Sequence, residues 1–127
     1  VEVKMGARTQ VFIKDTGVYL YSHWGSGNIL KTVKKALARK QRWSDPEYLA
    51  RIVFETMIGN NSGSAVGFGV GTTMHSDIDN LVTIDCKRQV VSYSVNGKPA
   101  AGSEFIDFND FVADLVMERE LEKENLG

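Results

Sequence analysis

The sequence predicts an α+β domain. Its expected core is a mostly antiparallel sheet of about five strands, in the order β-β-α-α-β-β-β-α, with helices packed on one face. Three observations lead there. Short alternating or β-branched runs bounded by turn residues stand near both ends of the chain. Between them lie two segments with apolar residues at helical spacing. There is no internal repeat and no linker, so residues 1–127 read as one domain.

The elements follow in order. Thr9 to Lys14 reads as a strand, and Lys14-Asp15-Thr16-Gly17 as a turn, because Asp nucleates turns and Gly accepts positive φ. Val18 to Ser22 returns, which makes a hairpin. After His23 to Asn28, a helix is predicted to about Arg42, with Ile29, Leu30, Val33, Ala36 and Leu37 on one arc. Ser44-Asp45-Pro46-Glu47 matches a capping box that opens a second helix, with Ser44 as the cap. Leu49, Ile52, Val53 and Met57 give that helix its stripe, widened by Tyr48, Phe54 and Ile58, and Gly59 suits its end.

Asn60 to Ser64 is a polar loop. Ala65 to Thr73 reads as a glycine-rich strand in which Val66, Phe68 and Val70 alternate with Gly67, Gly69 and Gly71. Leu81–Asp85 and Gln89–Val95 are two strands joined near Cys86-Lys87-Arg88, and Asn96-Gly97 signals a further turn. A last helix is marked by Phe108, Phe111, Val112, Leu115 and Val116, with Asp107 as its cap. Residues 1–4 are expected to be a flexible or non-native extension, and 118–127 a frayed acidic helix end.

Composition bounds the function. The 127 residues carry 15 Lys+Arg against 16 Asp+Glu, with 43% hydrophobic and 24% charged residues, which is ordinary for a globular protein. No run approaches the roughly 18–20 apolar residues of a spanning helix, so a membrane partner is not expected. The single cysteine, Cys86, excludes an internal disulfide and points to a reducing, cytoplasmic setting. The net charge of −1 hides a segregation. Lys31, Lys34, Lys35, Arg39, Lys40 and Arg42 follow one another with no acid between them, whereas Glu104 to Glu124 holds eight acids and two bases. As a helix, the first stretch would place all but Lys40 within an arc of roughly 140°.

Several residues suit chemistry. His23, Trp24, Gly25, Ser26 and Gly27 stand at a strand-to-helix junction, where free N–H groups and a positive dipole end suit a phosphate or carboxylate. The same residues also read as a structural corner. His75, Asp77 and Asp79, if extended, would fall on one side and form a weak candidate metal set, although Asp-rich loops more commonly make turns. Nucleophilic catalysis has Cys86, Ser26 and Ser64 as its only players, with His23 and His75 as bases. The glycine-rich strand lacks the following helix of a dinucleotide site. It reads instead as a strand with one bare face, on which an aromatic such as Trp24 or Trp43, a ligand or another chain could pack.

Several stretches taken together resemble a family of small uncharacterised proteins of bacteria, archaea and their phages. They are Met5-Gly6-Ala7-Arg8, Tyr19-Leu20-Tyr21-Ser22-His23-Trp24-Gly25, the run Arg42 to Ile52, and the glycine-rich strand with the Leu-Val-Thr-Ile-Asp hairpin. The likeness spans about residues 5 to 95. It implies a stand-alone domain often linked to mobile elements, and brings no catalytic or binding residues with it.

The leading expectation is a small intracellular interaction or regulatory domain without catalysis. Such a domain would form a homo-oligomer, or bind an acidic protein partner, through a basic helix (31–42: Lys31, Lys34, Lys35, Arg39, Arg42) and an acidic helix (107–124). One alternative is a small hydrolase or a binder of a phosphorylated ligand around His23, Ser26 and His75, which requires both histidines to line one pocket. A second is nucleic-acid binding through the basic helix. None of these readings calls for a cofactor.

Overall fold

The structure, a computed structural model, describes residues 8–23, 29–61, 63, 65–95, 98–99 and 105–113. Its elements are β1 (Thr9–Ile13), β2 (Val18–Ser22), α1 (Ile29–Leu37), α2 (Pro46–Ile58), β3 (Phe68–Gly71), β4 (Asn80–Asp85), β5 (Val90–Val95), β6 (Lys98–Pro99) and β7 (Ile106–Asp107). A third helix follows, described over 108–113. The sheet runs β3-β2-β1-β4-β5-β6, and β7 pairs with the other end of β5. The α+β class and the mostly antiparallel sheet are as predicted, with two short strands beyond the expected five. One central pair differs: β1 and β4 run parallel, with Thr9 opposite Asn80 and Ile13 opposite Ile84.

Alternation along the strands decides the layers. Val11, Ile13, Leu20, Val82, Ile84 and Val91 are buried in one cluster with the apolar sides of all three helices. From α1 come Ile29, Val33, Ala36 and Leu37, and from α2 Leu49, Ile52 and Val53. Phe108, Phe111 and Val112 complete the cluster. The intervening positions, among them Phe12, Tyr19, Tyr21, Leu81 and Thr83, lie on the opposite face and are half-buried.

The turns obey local chemistry. Gly17 takes φ +71° in the β1–β2 turn, as expected. Asp15 in that turn accepts the amides of Cys86 (2.9 Å) and Lys87 (3.3 Å), and so fastens the β4–β5 turn to the first hairpin. Gly59 ends α2 with φ +54° and donates its amide to the Glu55 carbonyl. Asp107 caps the last helix by accepting the Asn109 amide at 2.8 Å.

Three predicted boundaries move. Helix α1 stops at Leu37 instead of continuing to Arg42, since Lys40 and Arg42 take φ +53° and +59°. The Trp43 indole N–H donates to the Leu37 carbonyl at 3.0 Å and closes the helix end, while its ring packs edge-on against Phe108. Arg39 and Arg42 are therefore loop residues. The capping box does not form: Asp45 is the N-cap of α2 and makes no side-chain cap bond. Ser44 instead accepts from the Gln89 side chain. Strand β3 is confined to Phe68–Gly71, since Gly67 takes φ +95° and breaks the extended run.

Candidate functional site

The open face of the sheet carries two cross-strand rows. In the first, Gln10 on β1 faces Tyr21 on β2, which faces Gly69 on β3. In the second, Phe12 faces Tyr19, which faces Gly71. Each row thus passes from a side chain through a tyrosine to bare backbone.

The second row leaves a hollow. The Tyr19 ring stacks on Phe12, with centroids 4.4 Å apart and planes 21° from parallel. A methyl group built on Gly71 would meet nothing within 4 Å, and one on Gly69 would only touch the Tyr21 Cβ at 4.0 Å.

The first row makes the wall. Gln10 is 1% exposed. Its amide nitrogen donates to the Thr73 carbonyl at 3.1 Å, and its oxygen accepts the His75 amide at 2.9 Å. One buried side chain therefore pins both ends of the 73–75 segment that follows β3. The pinned His75 ring meets Tyr21 edge-on, with centroids 5.6 Å apart. The Tyr21 hydroxyl in turn hydrogen-bonds His23 Nδ1 at 3.2 Å.

Arg8 precedes β1 and stands beyond the first row, at the far end of the cleft from Gly71. Its guanidinium pairs with Asp77. Its amide donates to Asp79 at 3.0 Å, and its carbonyl accepts the Asp79 and Asn80 amides. Together Arg8, Gln10, Tyr19, Tyr21, Gly69, Val70, Gly71, His75 and Asp77 line an open cleft of about 310 Å³. That lies at the small end of the usual range for small-molecule sites.

The sequence-predicted residues fall as follows. His75 lines the cleft, and His23 is joined to it through Tyr21. Trp24, Gly25, Ser26 and Gly27 lie outside the described residues, as does Ser64. Asp77 and Asp79 both turn to Arg8 rather than converging with His75, and no group suited to a metal ion occurs among the described residues. Trp43 packs on the helical side and not on the glycine strand. Cys86 is buried, and burial, with Asp15 and Asp85 nearby, pushes its thiol up to about 12, so it is no nucleophile at neutral pH.

The basic stretch faces outward. Lys31 and Lys35 are exposed on α1, and Lys34 lies over the Phe111 ring, 5.3 Å from its centroid. Arg39 pairs with Glu55 (2.6 Å) and Arg42 with Asp45 (3.5 Å). The Arg39 hydrogen bond, joined by Arg51, outweighs desolvation and lowers the Glu55 pKa. The acidic helix is described only to residue 113. No helix among the described residues is long and apolar enough to cross a membrane.

Sequence reasoning missed Arg8, Gln10, Tyr19 and Tyr21 as lining residues. The available signal was the alternation Arg8-x-Gln10-x-Phe12 beside Tyr19-x-Tyr21, which sets polar and aromatic groups on the face opposite Val11 and Leu20. Comparison of the chain with protein-family models, curated proteins and solved structures finds no match.

Proposed function

We propose that this chain is a non-catalytic binding domain, and that its ligand is a small molecule with a flat ring, seated on Gly71 in the open-face cleft. The observation that carries this reading is Gly71 itself. Gly71 is the last residue of the edge strand β3, and glycine in a strand is normally explained by a positive φ or by close packing. Gly71 has neither: its φ lies outside the left-handed region, and a Cβ there would stand in open space. The bare peptide beside Tyr19 and Tyr21 is a surface that a flat ring can cover.

The test is a titration of the ¹⁵N-labelled chain with indole and benzyl alcohol as probes. Amide shifts at Gly69, Gly71 and His75 are expected, and Gly71→Val is expected to abolish them without unfolding the chain. Absence of shifts with both probes, or the same shifts in Gly71→Val, overturns the reading.

The outward basic strip supports a second reading, that Lys31 and Lys35 meet an acidic partner or a second copy of this chain. Such an association weakens as salt screens the charges. Sedimentation as a monomer at both low and high salt would remove self-association.

A further inference from the structure

We infer that the outer edge of β3 is an interface between two copies of this chain, paired antiparallel about a two-fold axis at Val70. The two sheets would join edge to edge, with both open faces on the same side. Three observations lead to that arrangement.

The first is the direction of the peptide groups. Among the described residues β3 pairs only with β2 and ends the sheet. The His23 amide donates to the Gly67 carbonyl at 2.9 Å, which continues the β2–β3 register by one residue. Bonded and non-bonded pairs alternate along an antiparallel ladder. Tyr21–Gly69 and Tyr19–Gly71 are therefore bonded pairs, and Val70 between them turns its N–H and C=O away from β2. An antiparallel copy centred on the same residue satisfies both groups at once. Each Val70 N–H then donates to the carbonyl of the partner's Val70.

The second is that this edge carries none of the usual guards. Sheets blunt their edges with Lys, Pro, charges or bulges. The opposite end of this sheet does so, where β6 is Lys98–Pro99. The β3 edge has no such device: no Asp, Glu, Lys or Arg occurs from Thr56 to Ser76. Val70 is instead 60% exposed, a β-branched side chain that a neighbouring strand would cover.

The third is self-complementarity, which selects a second copy as the occupant. A two-fold axis sets residues near it against their own equivalents, so a charge there meets its like. The uncharged stretch around Val70 escapes that penalty. Centring on Val70 also sets Gly69 opposite the partner's Gly71, so no side chain on the open face opposes the approach. A charged peptide strand, by contrast, would find no opposite charge on β3 to select it.

The test is sedimentation velocity of the full chain at low and high salt over a range of concentrations. A monomer–dimer equilibrium that salt does not weaken is expected, since backbone bonds and apolar contact are not screened as exposed ion pairs are. Val70→Lys sets two ammonium groups against each other. Val70→Pro removes the outward N–H, a change that an edge strand tolerates. Each is expected to weaken the dimer roughly tenfold or more, with a native ¹⁵N spectrum confirming that the chain is folded. Val70→Cys gives a positive signal. Opposed residues of a bonded pair have Cα atoms about 5.5 Å apart, within disulfide range. Mild oxidation should therefore cross-link this variant at position 70, while the buried Cys86 stays reduced. A monomer at every concentration, a dimer that neither Val70→Lys nor Val70→Pro weakens, or a Val70→Cys chain that does not cross-link overturns the inference. So does a dimer lost in high salt or in the Lys31→Glu, Lys35→Glu double variant, which assigns association to the basic strip. The indole and benzyl alcohol titration reads ring binding at Gly71 separately from all of these.

Discussion

The carboxylate of Asp15 stands 2.9 Å from the backbone nitrogen of Cys86, across 71 residues of sequence. It joins the tip of the first hairpin to the tip of the β4–β5 hairpin. Asp15→Ala leaves the Cys86 and Lys87 amides without that acceptor, and is expected to lower stability by about 1–3 kcal/mol. Asp15→Asn keeps an acceptor oxygen and should lose less. Urea denaturation of the two variants measures the difference.

Cys86 behaves as a buried apolar residue. With its thiol pushed up to about 12, almost none is thiolate at pH 8. Its reaction with a disulfide reagent in native buffer is expected to be far slower than in denaturant, and the absorbance of the released chromophore follows both. Rapid native reaction would show that the thiol is accessible.

Asp85 makes stability sensitive to acid. Burial alone would raise its pKa, but the Arg88 amide and the Lys14 ammonium outweigh that and hold the carboxyl below its ordinary 3.8. The folded state thus favours the ionised form. Its contribution is present above the unfolded pKa and is lost as pH falls through the lower folded value. Denaturation midpoints measured from pH 5 downward should fall less steeply in Asp85→Asn than in the unaltered chain.

Trp43→Phe keeps an aromatic ring against Phe108 and removes the N–H that donates to Leu37. A loss of about 1 kcal/mol is expected. Thermal unfolding detects it, and an unchanged midpoint would show that water replaces the indole at the helix end.

Gly71→Val fills open space on a strand with a residue suited to strands. A stabilisation of up to about 0.5 kcal/mol is expected, since the glycine closes an edge strand and does not sit in its middle. A variant that is both more stable and unable to bind separates the two demands on this position, and denaturant titration provides the first half of that comparison.

The fold was legible where local chemistry decides it. The Asp15-Thr16-Gly17 turn, the Gly59 stop and the Asp107 cap each depend on a few adjacent residues, and each forms. What tertiary contacts decide was hidden. The basic residues of 31–42 suggest one continuous helix, yet the Trp43 indole and two positive φ values end it at Leu37. The parallel union of β1 with β4 leaves no periodic mark. The site was half legible: His75 and the bare glycine face were in view, but Gln10 reads as an ordinary strand residue until its two bonds across the sheet are known.

The β1–β4 ladder also governs when this sheet can exist. Its register joins Thr9 to Asn80, so on a chain emerging from the ribosome β1 has its hairpin partner early and its other neighbour only once residues 80–85 have been made. Until then Val11 and Ile13 lack half their walls, and the cleft lacks the frame that positions Arg8. Central pairing at such separation slows folding, because a long loop must close before the contacts reward it. The sheet is therefore completed late, with the open-face cleft assembled in the same event as the core.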